Sequence, residues 1–261
     1  MVRVCTLFSG SSANSSFIEV DGRALLIDVG ASTTRMTAAL AAVGSGWDKV
    51  EGIFITHEHS DHIAALPVLT RKYRIPVIAN PQTLDMIVNT YPDINDSLFV
   101  PMSTGSEAVR RDFSVRSFAS DHDSIECVGY TVSTPGGKIG IMTDCGQPRN
   151  CAEENLRGCR VLILESNHDP EMLAGGPYPY HLKKRISGQY GHLSNFQAAE
   201  LLGKVIGEDT ERIYLAHLST ENNTPDIALK TVRQYLSALG VGQNVRIEVA
   251  PRYEHSTIVQ F

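Results

Sequence analysis

An apolar run rich in branched residues, "KVEGIFIT" over residues 49–56, ends abruptly in "HEHSDH", which sets His57, His59, Asp61 and His62 within six positions. The run reads as a buried strand, so these donors emerge where the strand leaves the core. His57 and His59 are two apart and share a side of an extended segment, whereas Asp61 and His62 are adjacent and must point differently. One turn can therefore serve two neighbouring metal ions. Imidazole suits zinc, iron and manganese, and carboxylate extends the choice towards manganese. The plain alternative, polar residues in a loop that starts a helix, gives no reason for such density. A two-metal site needs further donors, so the chain must fold in a way that brings other segments to this turn.

Other strand-like runs also end in polar residues. "LLID" stops at Asp28, "IMTD" at Asp144 and "LAH" at His217, while His122 in "SDHD" follows an alternating run. Singly, a histidine is usually a hydrogen-bonded core or surface group, and an aspartate before a turn usually caps it. Beside the opening turn their value is collective.

The element order has strands and helices interleaved in both halves. Paired strands open the chain around a "GSSANS" loop and a "DG" turn, and "STTRMTAALAAVG" predicts a helix capped by Ser32 and stopped at Gly44. A hairpin is expected at "PGGK", an amphipathic helix over "LSNFQAAELLGKVIG", another over "TPDIALKTVRQYLSALG", and a terminal strand region in "VRIEVAPRYEHSTIVQF". This order predicts an α/β chain (α+β layered), an αββα sandwich of two mixed sheets with helices outside. Sites in such layered proteins tend to lie beyond strand ends, where loops converge. No linker or low-complexity tract divides the 261 residues, so residues 1–261 are expected to form one domain.

Five cysteines without a C-x-x-C pair indicate neither a disulfide framework nor a zinc ribbon. No apolar run approaches the ~20 residues that span a bilayer, and the N-terminus lacks the plan of a secretion signal. A cytoplasmic protein without a membrane partner is expected, with oligomeric state open. The net charge of −6 argues against non-specific coating of nucleic acid, yet a local basic patch can still grip phosphates.

The stretch His57–His62, with Asp28 upstream and His122, Asp144 and His217 downstream, resembles the metallo-β-lactamase superfamily. More narrowly, "SGSSANSSF", "TDCG", "ESNHDPEML", "GPYPYHLKKRISGQYGHLSN" and "LAHLSTENNTP" resemble the YycJ (WalJ) group, which is regarded as DNA exonuclease-like. The resemblance implies a metallo-β-lactamase fold and two divalent transition-metal ions (Zn, Mn or Fe). It implies His57, His59 and His122 on one ion, Asp61, His62 and His217 on the other, and Asp144 between them. Asp28 would support them from behind. Two positions depart from the group: Ala13 stands where glycine is common, and Cys145 follows the bridging aspartate, best read as a small buried hydrophobe.

Two metals ~3.5–4 Å apart suit phosphodiester cleavage by activating a water and stabilising both oxygens of an in-line displacement. The substrate class must be read from other residues. Lys183, Lys184 and Arg185 form a basic run, and Ser194–Asn195 open a helix whose N-terminus favours an anion. These residues, with Ser12 and Asn14 of the first loop, are candidate phosphate contacts. The same features also read as a solvated face, a helix cap and a glycine-serine turn. Tyr178, Tyr180 and Tyr190 offer rings for stacking on bases, or simply pack their loop. His192 is the candidate for contacting the scissile phosphate or protonating the leaving oxygen, and Asp61 for orienting or deprotonating the water. Glu221, just after His217, is a candidate to fix that ring through its second nitrogen; His168 reads as a structural hydrogen bonder. The expected activity is thus a metal-dependent phosphodiesterase or nuclease, a DNA exonuclease by resemblance, with nucleic acid as partner. The competing readings are a small-molecule hydrolase of the same fold and a non-catalytic nucleic-acid-binding module.

Overall fold

The computed structural model describes residues 1–261. The first sheet is built from β1 (Val2–Phe8), β2 (Ser15–Val20), β3 (Arg23–Ile27), β4 (Val50–Phe54), β5 (Val77–Ala79), β6 (Phe99–Pro101) and the C-terminal β14 (Val259–Gln260), in the order β14-β1-β2-β3-β4-β5-β6. The second contains β7 (Glu107–Val109), β8 (Ser114–Ala119), β9 (Val128–Thr134), β10 (Gly137–Met142), β11 (Val161–Glu165), β12 (Arg212–Ala216) and β13 (Arg246–Val249), in the order β13-β12-β11-β10-β9-β8-β7. Both sheets are mixed. β1–β2–β3 pair antiparallel before β3–β4–β5 run parallel, and β8–β9–β10 pair antiparallel before β10–β11–β12 run parallel.

Helices cover the outer faces. Against the first sheet lie α1 (Thr33–Ala42), α3 (Leu66–Lys72) and α4 (Pro81–Thr90), with the one-turn α2 (Ser60–Ile63) at its edge. Against the second lie α5 (Asn150–Leu156), α8 (Asn195–Val205) and α9 (Pro225–Leu239), with α6 (Pro170–Gly175) and α7 (Tyr180–Ile186) in the loops above. Strand side chains alternate between layers: Leu25 and Ile27 meet the opposite sheet while Ala24 and Leu26 meet helices, and Val161 and Ile163 face inward while Leu162 and Leu164 face α8 and α9. With both faces covered, these strands read as unbroken apolar runs rather than alternating ones.

The expected helix at residue 33 has Ser32 as its cap, its side chain accepting from the Arg35 amide, and the last long helix stops at Gly240 in the left-handed conformation. The terminal strand region divides in two. β13 joins the second sheet and β14 the first, with Pro251 in the crossing segment, where a residue lacking an N–H cannot continue a ladder. The short α7 contains the basic run, whose charges mask any apolar stripe.

Candidate metal centre

The opening turn and the strand ends meet at one edge of the sandwich. Donor atoms of His57, His59 and His122 lie within 4.8 Å of one another, as do those of His57, His62 and Asp144. Asp144 is central: its Oδ2 is 3.1 Å from His62 Nε2, and its Oδ1 is 3.7 Å from His122 Nε2 and 3.3 Å from His217 Nδ1. Asp61 Oδ2 sits 3.5 Å from His62 Nε2 and 3.9 Å from His217 Nε2.

Four of the five rings, all but His59, are held by a partner through Nδ1. His62 Nδ1 donates to Asp28 Oδ2 at 2.7 Å, and Asp28 also accepts from the Thr56 amide and hydroxyl. His57 Nδ1 lies 3.0 Å from the Thr56 hydroxyl, and His122 Nδ1 donates to the Gly191 carbonyl at 3.0 Å. His217 Nδ1 donates to Glu165 Oε1 at 2.8 Å. All four Nδ1 atoms are thus engaged away from the centre, which leaves Nε2 facing in, the usual arrangement of ligating histidines.

The backbone is bent to this purpose. Asp28, Asp144 and His217, which follow β3, β10 and β12, hold φ of 63°, 58° and 57°. Non-glycine residues rarely occupy this left-handed region, and such strain clusters at functional sites. Gly30 admits α2 against the loop after β3: a Cβ there would lie 1.5 Å from the Asp61 carbonyl oxygen. That carbonyl accepts the Asn14 amide and the His62 carbonyl accepts the Val29 amide, each at 2.8 Å.

The buried charges at the centre act strongly on one another. Burial works against charge on the His62 ring, but Asp28 and Asp144 outweigh it and hold its pKa well above the usual value. Burial also opposes ionisation of Asp144, yet the facing His217 and His62 hold its carboxyl well below the ordinary range. His57, buried among other imidazoles, is pushed down. Two ring nitrogens at the centre, His57 Nε2 and His217 Nε2, are buried without a hydrogen-bond partner. Orphaned buried groups cost about 1–3 kcal/mol each, and an ion among them would remove that cost. The donor set fits a divalent transition metal.

Glu165, at the end of β11 and fully buried, is a site residue that the sequence reading left without a role. Its Oε1 takes both His192 Nδ1 and His217 Nδ1 at 2.8 Å, and its Oε2 takes the amides of Cys145 and Leu193. The signal is present: "LILE" is an apolar run ending in a carboxylate, the pattern that singles out Asp144. Glu165 occupies the place expected of Glu221, which is exposed with only its amide engaged, on Ser219. A long loop carries Glu221 outward, and a buried carboxylate is the better partner for a buried ring. His192 brings its ring centroid to 5.0 Å from His122 and 5.2 Å from His217. Burial disfavours its charged form, but Glu165 prevails and raises its pKa to about 9.

The candidate phosphate contacts separate. Asn14 is buried, its amide nitrogen 3.0 Å from Asp61 Oδ2 and 3.1 Å from His62 Nε2, so it braces the centre. Ser194 is consumed by a capping box with Gln197, and Asn195 is fully buried, bonded to Ser166 and Asn223. Neither side chain is free to meet a substrate: the cap satisfies the helix end, and an amide at this depth needs its partners. Ser12 is exposed in the loop after β1. Arg185 pairs with Asp123, whose other oxygen is 3.3 Å from His122 Nε2, whereas Lys183 and Lys184 turn the other way. Cys145 is buried in the core, its thiol pushed up to about 12 by burial.

Two sheets that together present such a centre define a class. The metallo-beta-lactamase superfamily model matches residues 9–217, and the chain belongs to that superfamily of hydrolases. Among curated proteins, it is 37% identical over 93% of its length to exodeoxyribonuclease YycJ of Bacillus anthracis, covering 92% of that protein. It is 34% identical over 93% of its length to exodeoxyribonuclease WalJ of Streptococcus pneumoniae, covering 91%. Among solved structures, the metallo-beta-lactamase fold protein YhfI from Bacillus subtilis aligns with 99% of this chain and 98% of its own, at TM-score 0.74 and 12% identity. That likeness speaks to the fold alone. No helix is long and apolar enough to cross a membrane, and all five cysteines are free.

Proposed function

We propose that the protein is a binuclear metal-dependent DNA exonuclease. The observation that carries this reading is the convergence of buried imidazole and carboxylate donors from both sheets, two of the ring nitrogens partnerless, in a chain so similar along its length to proteins named exodeoxyribonucleases. His57, His59 and His122 would hold one ion, Asp61, His62 and His217 the other, with Asp144 shared. Zinc, manganese and iron all suit this set. Bound there, the ions supply Lewis acidity and a water acidic enough to attack at neutral pH.

The chain's own residues do the rest. Asp61, braced by Asn14, would help hold an ion and would orient and accept a proton from the attacking water. His192, fixed through Nδ1 by Glu165, is half-buried at the edge of the centre and turns its other nitrogen to the scissile phosphate or the leaving oxygen. Lys183, Lys184, Arg185 and Ser12 meet the flanking strand, with Arg185 exchanging Asp123 for a phosphate. The protein works in the cytoplasm.

The test incubates metal-replete protein with end-labelled single- and double-stranded DNA and with RNA, with and without chelator. Stepwise loss of DNA from an end, abolished by chelation, is expected. Intact DNA alongside turnover of a small diester or thioester would reassign the protein to small-molecule hydrolysis.

A further inference from the structure

The basic run divides its charges between two places. Arg185 is neutralised by Asp123 beside the metal centre. Lys183 and Lys184 have no acidic partner, and both line a separate cavity of about 330 Å³ on the other side of α7, together with His168, Pro170, Leu173 and Tyr180. No carboxylate lines it. The size falls at the lower end of the ~300–1,000 Å³ common for small-ligand sites.

The lining combines three chemistries. Lys183 spends one proton on the Ala174 carbonyl at 2.7 Å, which fixes its ammonium while leaving further N–H groups free. Tyr180 is 73% exposed, with the Lys184 ammonium 5.7 Å from its ring centroid, so ring and charge stand together at the mouth. Pro170 and Leu173 supply an apolar floor. His168 is only 3% exposed, yet its Nδ1 has no hydrogen-bond partner. His168 is also three residues beyond Glu165 and pairs with Ser194, two residues beyond His192, so the cavity adjoins the catalytic edge.

We propose that this cavity is the subsite for one nucleotide flanking the bond to be cut, its phosphate held by Lys183 and Lys184 and its base stacked on Tyr180, with His168 in the cavity wall. The proposal rests on the nuclease reading and adds what the metal centre cannot supply: a fixed distance between a held nucleotide and the scissile phosphate. Aromatic stacking is tolerant of base identity, so the subsite selects a nucleotide without selecting a sequence.

The test uses the metal-replete full chain. Calorimetric titrations with thymidine 5′-monophosphate, thymidine 3′-monophosphate, thymidine and inorganic phosphate separate the cavity from binding of phosphate at the ions. One of the nucleotides should bind about tenfold more tightly than both thymidine and inorganic phosphate, and the favoured isomer shows on which side of the scissile bond the subsite lies. Lys183→Ala with Lys184→Ala should cut that advantage about tenfold, and Tyr180→Ala at least about fivefold. The same variants should raise KM for an oligonucleotide by similar factors while kcat stays within about twofold. Tyr180 and Lys184 are exposed, so Tyr180→Ala and Lys184→Ala keep the fold, and an unchanged Tm checks the variant that also removes the Lys183 bond to Ala174; a solvent-facing control, Lys230→Ala, should match wild type. If strands are cleaved but the variants bind nucleotide and strand as wild type does, the subsite is wrong and the nuclease reading stands. If nucleotide binds through these residues but no strand is cleaved, the nuclease reading is wrong, and the cavity binds a nucleotide without flanking a bond to be cut.

Discussion

The two sheets contribute to the metal centre in opposite styles. The first concentrates its donors: one strand, β4, delivers His57, His59, Asp61 and His62 in a single turn. The second distributes them. His122 follows β8, Asp144 follows β10, Glu165 ends β11, His217 follows β12, and His192 comes from the loop before α8. Concentration lets one rigid turn aim several ligands at little cost in order. Distribution makes the centre depend on the register of four strands, two of which pass into it through left-handed aspartate and histidine. A site built both ways cannot assemble until the sheets have packed, so its integrity reports on the whole sandwich.

That contrast can be broken at either end. The largest effect is expected where the two halves share a residue: Asp144→Ala should lower hydrolysis about a thousandfold or more and reduce metal content, since a ligand contributes several kcal/mol of charge stabilisation. His59→Ala should do the same from the concentrated side. If only one of these variants loses activity, the halves are not jointly required.

Glu165→Gln comes next. The amide keeps the size but holds two imidazoles less firmly, and loss of such a supporting partner typically costs 10–100-fold in metal affinity or activity. Both His192 and His217 should be disturbed together, seen as shifted ring resonances in NMR. Glu221→Ala, by contrast, should stay within about twofold of wild type. A large loss at Glu221 with none at Glu165 would exchange the roles of these two carboxylates.

Removing the ions tests the same contrast through stability. Chelation should lower Tm by about 5–10 °C, as expected for a ligand present near a hundred times its Kd. An unchanged Tm would mean that the orphaned buried atoms are satisfied in some other way.

The concentrated half was legible because its signal is local: a branched apolar strand followed by dense donors needs no knowledge of the fold. The distributed half was legible only as a set. His122, Asp144 and His217 each follow a strand-like run, but nothing in the spacing tells which runs end at one edge. Resemblance to known proteins linked them. Glu165 shows the limit: it carries the same strand-end mark as Asp144 and opens the stretch "ESNHDPEML", yet nothing local says that its carboxylate reaches two histidines far along the chain. Ser194 and Asn195 show the converse. A helix start attracts an anion in principle, but here a capping box and a buried amide pair already occupy those groups. The three left-handed residues could not be foreseen, since aspartate and histidine carry no glycine-like warning of a positive φ.

The most direct test of a centre shared by both sheets is the metal content of purified, metal-replete wild type beside Asp144→Ala and His59→Ala. About two divalent ions per chain in the wild type, and fewer in each variant, is the predicted result. A wild-type chain that retains no divalent ion after exposure to zinc, manganese and iron would contradict it.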